Sequence, residues 1–281
     1  MCTHMNIGIL TAGGVCPGVN NVVRSIVLRE RNQGNKVIGF SDGFRGVNDN
    51  VHIQLECDCG TDSLLRVSYD YVDMNKAVKN IRHLDRLYCV CGNESMKSAR
   101  DLALDDRVDT NIIGIPKTIY NDISGVECIG FQTAVQELAR YIDCAHVEAT
   151  VSNSIVFLEV PGIHVNDLAV HAALARNSKV TTVILPNTNE IDHRRSIEYG
   201  YAKRGHAVVV ISEMCDIIDG LSVKPKVISP GYLIRDVEPC VYDSILVERT
   251  VREAFDHAQD HRDFIKGAGA VIPFKDYLRI V

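Results

Sequence analysis

The sequence predicts an α/β fold of mostly parallel sheets flanked by helices, and three observations carry that prediction. Short apolar runs alternate with amphipathic stretches along the chain. Most of those runs are rich in Val and Ile, as strands covered on both faces must be. No internal repeat, low-complexity segment or long linker interrupts the rhythm. Alternation of this kind implies parallel strands joined by right-handed crossovers.

Taken in order, the apolar runs at 7–12, 36–40, 86–91, 111–115, 155–160, 182–185 and 207–211 read as strands. Between and after them, helical patterns cover 19–30, 74–83, 95–104, 133–145, 165–176 and 242–259. Pro17 is pre-set for the first helix because its ring fixes φ and its missing N–H is not needed there. Functional groups in such folds gather in the loops that follow the carboxyl ends of strands, and the unusual loops of this chain fall there.

Composition narrows the function classes. The 281 residues are 46% hydrophobic and 23% charged, enough for one or two domains with a real core. Net charge is −6 and no Lys/Arg cluster stands out, which argues against nucleic acid, whose phosphates demand a basic surface. No run of eighteen apolar residues is present to span a membrane. Met1-Cys2-Thr3-His4-Met5 has neither the basic nor the apolar region of a leader. A cytoplasmic protein is therefore expected. Ten cysteines raise the question of metal or disulfides. However, Cys57/Cys59 and Cys89/Cys91 are C-x-C pairs without zinc-knuckle spacing. The apolar run around Cys89 and Cys91 favours core packing.

The first strand ends in Gly13-Gly14-Val15-Cys16-Pro17-Gly18-Val19-Asn20. Glycines there let backbone approach a phosphate, and the following helix offers free N–H groups. The same loop also reads as a tight strand–helix turn and nothing more. Its pattern, Gly-Gly-x-x-Pro-Gly-x-Asn, resembles the opening motif of phosphofructokinases, in the version of the plant, trypanosomatid and pyrophosphate-using branches. The resemblance continues collinearly. Gly39-Phe40-Ser41-Asp42-Gly43-Phe44-Arg45-Gly46, Gly60-Thr61 with Arg66, and Pro116-Lys117-Thr118-Ile119-Tyr120-Asn121-Asp122 are similar to family motifs. So are Gly130-Phe131-Gln132-Thr133-Ala134, Ala145-His146-Val147-Glu148-Ala149, Ile211-Ser212-Glu213 and Pro230-Gly231-Tyr232-Leu233-Ile234-Arg235.

What the resemblance implies can be stated by residue. Gly13, Gly14, Arg66, Gly92, Asn93, Glu94 and Lys117 would form the phosphoryl-donor side, with Asn93 at the position that holds magnesium. Thr118, Gly162, Glu213, Tyr232 and Arg235 would form the sugar-phosphate side. It implies a two-domain phosphofructokinase fold. One domain would hold 1–130 plus about 236–258, and bind the donor; the other would hold 131–235 plus about 259–281, and bind the sugar phosphate. A homo-oligomer is implied, as is Mg²⁺ if the chain is active.

Departures from the motifs are equally specific. Asn93 replaces an aspartate of the metal position, and a neutral amide is a weaker ligand for a hard cation. Glu94 follows it, where a long carboxylate would crowd a nucleotide phosphate. Tyr120 replaces the catalytic Asp, the base; with an ordinary pKa of about 10, it is almost wholly protonated at neutral pH. Asp122 survives as a candidate base. Ile163 stands where an arginine would clamp a phosphate, with His164 next to it. The expectation is thus a degenerate phosphofructokinase. It would be a catalytically impaired pseudoenzyme that keeps a phosphate or sugar-phosphate pocket, or a partner subunit for an active paralogue. The alternatives are an active, divergent 6-phosphofructokinase moving phosphate from pyrophosphate, or from ATP, to fructose 6-phosphate, and a changed specificity on the same fold.

Overall fold

The computed structural model describes residues 4–56, 65–162 and 166–277. It divides into two compact units, Met1–Gly130 with Glu238–Val281, and Phe131–Val237. In the first unit the chain forms β1 (Asn6–Ala12), α1 (Val19–Asn32), β2 (Lys36–Phe40), α2 (Phe44–Asp49), β3 (His52–Gln54), α3 (Met74–Ile81), β4 (Arg86–Cys91), α4 (Asn93–Ala103) and β5 (Asn111–Pro116). It then builds the second unit from α5 (Phe131–Val151), β6 (Ile155–Val160), α6 (Asp167–Ala175), β7 (Thr182–Ile184), α7 (Glu190–Arg204), β8 (Ala207–Ser212), β9 (Lys226–Ile228) and a 3-10 turn at Gly231–Ile234. It returns to the first with α8 (Val241–His257), β10 (Phe264–Gly267), β11 (Ala270–Pro273) and a 3-10 turn at Phe274–Asp276.

The first unit carries a seven-stranded sheet in the order β11-β10-β5-β4-β1-β2-β3. All its pairs are parallel except the outer ones, β10 with β11 and β2 with β3. Every residue of β4 and β5 is buried, because apolar clusters cover both faces of the sheet. Leu10, Phe40, Leu87, Met96 and Phe274 belong to one cluster; Ile9, Val23, Tyr88, Ile113 and Val247 belong to the other. Cys89 and Cys91 point into the first cluster as small hydrophobes. Burial pushes the Cys91 thiol up to about 12, against the pull of Lys117. Cys57 and Cys59 lie outside the described residues.

The tail corrects one expectation. Residues after 258, assigned above to the second domain, join the first unit's sheet, where Phe264 and Ile265 pair beside Ile113 and Gly114 of β5. Gly114 makes this approach possible. A Cβ there would lie 2.8 Å from Met96 Sδ and 3.0 Å from Ile265 Cγ1.

The second unit is a four-stranded, wholly parallel sheet in the order β7-β8-β6-β9. Phe157, Ile197, Val209 and Ile211 fill one face; Ala145, Ala149, Val156 and Val208 fill the other. Helix α7 had no counterpart in the sequence reading, because only Ile197 and Gly200 of its fifteen residues are buried. Its ends are nonetheless well marked. The Asn189 side chain accepts the Ile191 N–H at 3.0 Å, and Gly205 closes the helix at φ 74. No helix among the described residues is long and apolar enough to cross a membrane.

Candidate functional site

Three parallel strands of the first unit, β1, β4 and β5, end side by side, and hydrogen bonds tie their exit loops together. Gly92 N–H donates to the Ala12 carbonyl at 3.3 Å, and Lys117 N–H donates to the Cys91 carbonyl at 3.0 Å. Gly13 takes φ 90, a left-handed conformation that a side chain would oppose, and donates its N–H to Ser68 at 2.9 Å. A Cβ on Gly13 would meet Gly92 N, Lys117 Nζ and Ser95 Oγ, each at 3.5 Å. The structure therefore brings Gly13, Gly14, Gly92 and Lys117 into one cradle.

Lys117 is the charged centre of this cradle. Only 1% of the residue is exposed, and its ammonium donates to the Gly14 carbonyl. A buried ammonium demands such a partner, since leaving water without one is costly. Helix α4 opens at the same place, with Gly92 extended at its N-cap and without a side-chain cap. Its first-turn N–H groups thus add a partial positive charge at the β4 loop. Glu94 lies in that turn, ion-paired with Lys97 at 2.6 Å.

Asp122 sits at the edge of the cradle. Burial raises its carboxyl above the ordinary aspartate range; Thr118 and Asn93, through their side chains, oppose the rise, and the charge of Glu94 adds to it. Its Oδ1 is buried and makes no hydrogen bond. Tyr120 lies in the same loop, where its N–H donates to Thr118 Oγ1 at 3.1 Å. Asn121 takes φ 53 and accepts the Cys128 N–H at 3.0 Å, which pins the loop to the chain that follows. Thr118, assigned above to the sugar side, is thus buried beside Asp122.

Asn93, the expected metal position, has another partner. The Tyr277 hydroxyl donates to Asn93 Oδ1 at 2.6 Å and approaches the Asn93 carbonyl at 3.4 Å. Sequence reasoning missed Tyr277, because it lies in a tail that carries no motif. Arg66, expected to touch the transferred phosphate, has its guanidinium on Asp42 at 3.3 Å and is largely exposed. Gly60 and Thr61, which precede it in that motif, lie outside the described residues.

The strand ends of the second unit hold a smaller set. Glu213, directly after β8, accepts the Gly162 N–H on Oε1 at 2.9 Å, and Ser212 Oγ donates to the Gly162 carbonyl at 3.3 Å. These two bonds couple the ends of β6 and β8. Tyr232 is 80% exposed, and the Arg235 guanidinium lies 5.3 Å from the centre of its ring. Ile163 and His164 lie outside the described residues.

Residues 6–258 match the family model for phosphofructokinase. The ATP-dependent 6-phosphofructokinase of Buchnera aphidicola is 32% identical over 271 residues, covering 86% of this chain and 82% of that protein. The enzyme of the same name from Corynebacterium efficiens is 31% identical over 230 residues, covering 74% of this chain and 64% of its own length. Among solved structures, pyrophosphate-dependent phosphofructokinase from Nitrosospira multiformis superposes with a TM-score of 0.89 at 16% identity, over 99% of this chain and 85% of that one. Pichia pastoris phosphofructokinase gives 0.82 at 18%, over 92% of this chain and 31% of the much longer yeast chain. At such identities the two structures speak for the fold alone.

Proposed function

This chain belongs to the phosphofructokinase family, and from that premise we propose that it binds a small phosphorylated ligand while being impaired in phosphoryl transfer. The observation that carries the binding half is buried Lys117, whose ammonium lies under the glycine loop after β1. A pre-positioned cation, open glycine backbone and a helix N-terminus are what a phosphate needs. On the sugar side, Glu213, Tyr232 and Arg235 supply an acceptor, a ring and a cation for a sugar phosphate such as fructose 6-phosphate.

Tyr120 supports the impairment. Transfer requires a group that takes the proton of the attacking hydroxyl, and its absence typically costs about two to four decades in rate. The metal position points the same way. The resemblance implies Mg²⁺ held there by a carboxylate, but here a neutral amide stands in its place, a weaker ligand for a hard cation, and its oxygen accepts from Tyr277. These residues do not fit a resident magnesium.

A second reading has its own support. Asp122 combines a raised pKa with a buried, unbonded Oδ1, the properties of a base in waiting. On that reading the chain is an active, divergent enzyme that uses pyrophosphate or ATP. One coupled assay for fructose 1,6-bisphosphate with each donor separates the two, since turnover above roughly 1 s⁻¹, the low end of ordinary enzymes, removes the impairment. Thermal shift with pyrophosphate, nucleotides and fructose 6-phosphate tests binding itself. A ligand at a hundred times its Kd adds about 2.7 kcal/mol, and no shift with any of them removes the binding half. Gel filtration tests the homo-oligomer, and co-purification with an active paralogue tests the partner role.

A further inference from the structure

Tyr277 closes a path that starts in the tail and ends at Asp122. The residue is 4% exposed and follows the 3-10 turn Phe274–Asp276. Its N–H donates to the Phe274 carbonyl at 3.2 Å, while the Phe274 N–H donates to Asp263 at 2.9 Å. Asp263 in turn accepts the Ile112 N–H on Oδ1 at 2.9 Å. The tail is therefore anchored to the start of β5 at one end, and its Tyr277 hydroxyl reaches the loop after β4 at the other.

Asn93 stands between two groups of opposite demand. An ionised carboxylate only accepts hydrogen bonds, so the amide end that faces Asp122 has to be the NH₂. That turns Oδ1 away from Asp122, to the side where the Tyr277 hydroxyl donates at 2.6 Å. Both contacts are satisfied together in this orientation alone. Reversing the amide would set its oxygen against the carboxylate, two acceptors with no proton between them, and would take from the Tyr277 hydroxyl the Oδ1 acceptor it holds at 2.6 Å.

We infer that Tyr277 is a positioning residue of the phosphate site, which holds Asn93 as a hydrogen-bond donor to Asp122 and withdraws its oxygen from any cation. Position 93 thereby changes from a place for a metal into a support for the remaining aspartate. The tail becomes part of the site. This inference rests on the assignment of Asn93 and Asp122 to the phosphate site made above, but does not require that transfer occurs.

The experiment reads the Asn93 side-chain amide directly, by solvent exchange of its NH₂ protons in ¹⁵N-asparagine-labelled full-length protein. The signal is assigned by its loss in Asn93→Asp. Tyr277→Phe, which removes one oxygen, should speed that exchange about tenfold, the weight of one hydrogen bond, with the backbone spectrum retained. Asp122→Ala should speed it as well, by removing the acceptor. Unchanged exchange in either variant overturns the relay, and Asp122→Ala keeps the test open should Tyr277→Phe not fold. A manganese titration adds a second readout. Asn93→Asp combined with Tyr277→Phe should bind Mn²⁺ several-fold tighter than Asn93→Asp alone; equal affinity overturns the claim that Tyr277 withdraws the oxygen. Neither measurement depends on the thermal-shift panel, so a site that binds no phosphate and a relay that does not exist give different results.

Discussion

Lys117 and Glu213 occupy equivalent stations in the two units. Each directly follows a fully buried parallel strand, β5 in one case and β8 in the other. Their surroundings differ sharply. Lys117 is buried and donates to backbone across the cradle, whereas Glu213 is exposed and holds one backbone N–H with one of its oxygens. In the first unit the charge proposed to meet a ligand is also a structural member, tied to the loops after β1 and β4. In the second unit the charge is exposed, and its one bond to the fold among the described residues is the N–H it accepts from Gly162. The difference teaches that equal station on a strand does not imply equal consequence, since burial decides whether a site residue also carries stability.

Five variants would break or sharpen this contrast. The largest effect belongs to the first unit's loop after β5, where Tyr120→Asp, made together with Asn93→Asp, should raise fructose 1,6-bisphosphate formation by about two to four decades. Ile163→Arg, in the second unit, should add far less. No rise with the first pair would mean that the impairment lies elsewhere. Next comes Lys117→Ala. Chemical denaturation should find a loss of about 0.5–1.5 kcal/mol, because the half-buried Gly14 carbonyl loses the hydrogen bond from Lys117, and the thermal shift with pyrophosphate should vanish with it. A variant as stable as the parent would place Lys117 in the same class as Glu213.

A smaller effect concerns pH. Burial raises Asp122 in the folded protein, so the fold holds this proton to higher pH than the unfolded chain does. The stability it contributes is present below the ordinary aspartate value of about 3.9 and is lost as pH climbs through the raised folded value. Asp122→Asn should therefore lose less stability than the parent as pH rises from about 4, measured by denaturant midpoints. Equal slopes would mean that burial does not raise Asp122. The smallest effect is expected at Glu213. Glu213→Gln should leave stability within about 0.5 kcal/mol while weakening the thermal shift given by fructose 6-phosphate. A marked drop in stability would erase the contrast between the two units.

The sequence by itself determined seven of the eleven strands among the described residues, the adjoining β5-β4-β1-β2 of one sheet and β7-β8-β6 of the other. The runs at 36–40, 86–91 and 155–160 coincide with β2, β4 and β6, because strands covered on both faces leave short, continuous apolar runs rich in Val and Ile. It also determined the order of the motif loops, and hence the family, since Gly13, Lys117 and Glu213 sit in local patterns a few residues long. Tertiary structure decided the rest. Helix α7 buries one apolar side chain and a glycine, too little for a helical stripe to be read. β10 and β11 acquire meaning only by pairing with β5 and with each other. The bond from Tyr277 to Asn93 joins residues 184 positions apart. No periodicity encodes such a contact, because it exists only once the tail has added its strands to the sheet and folded back over the loop after β4.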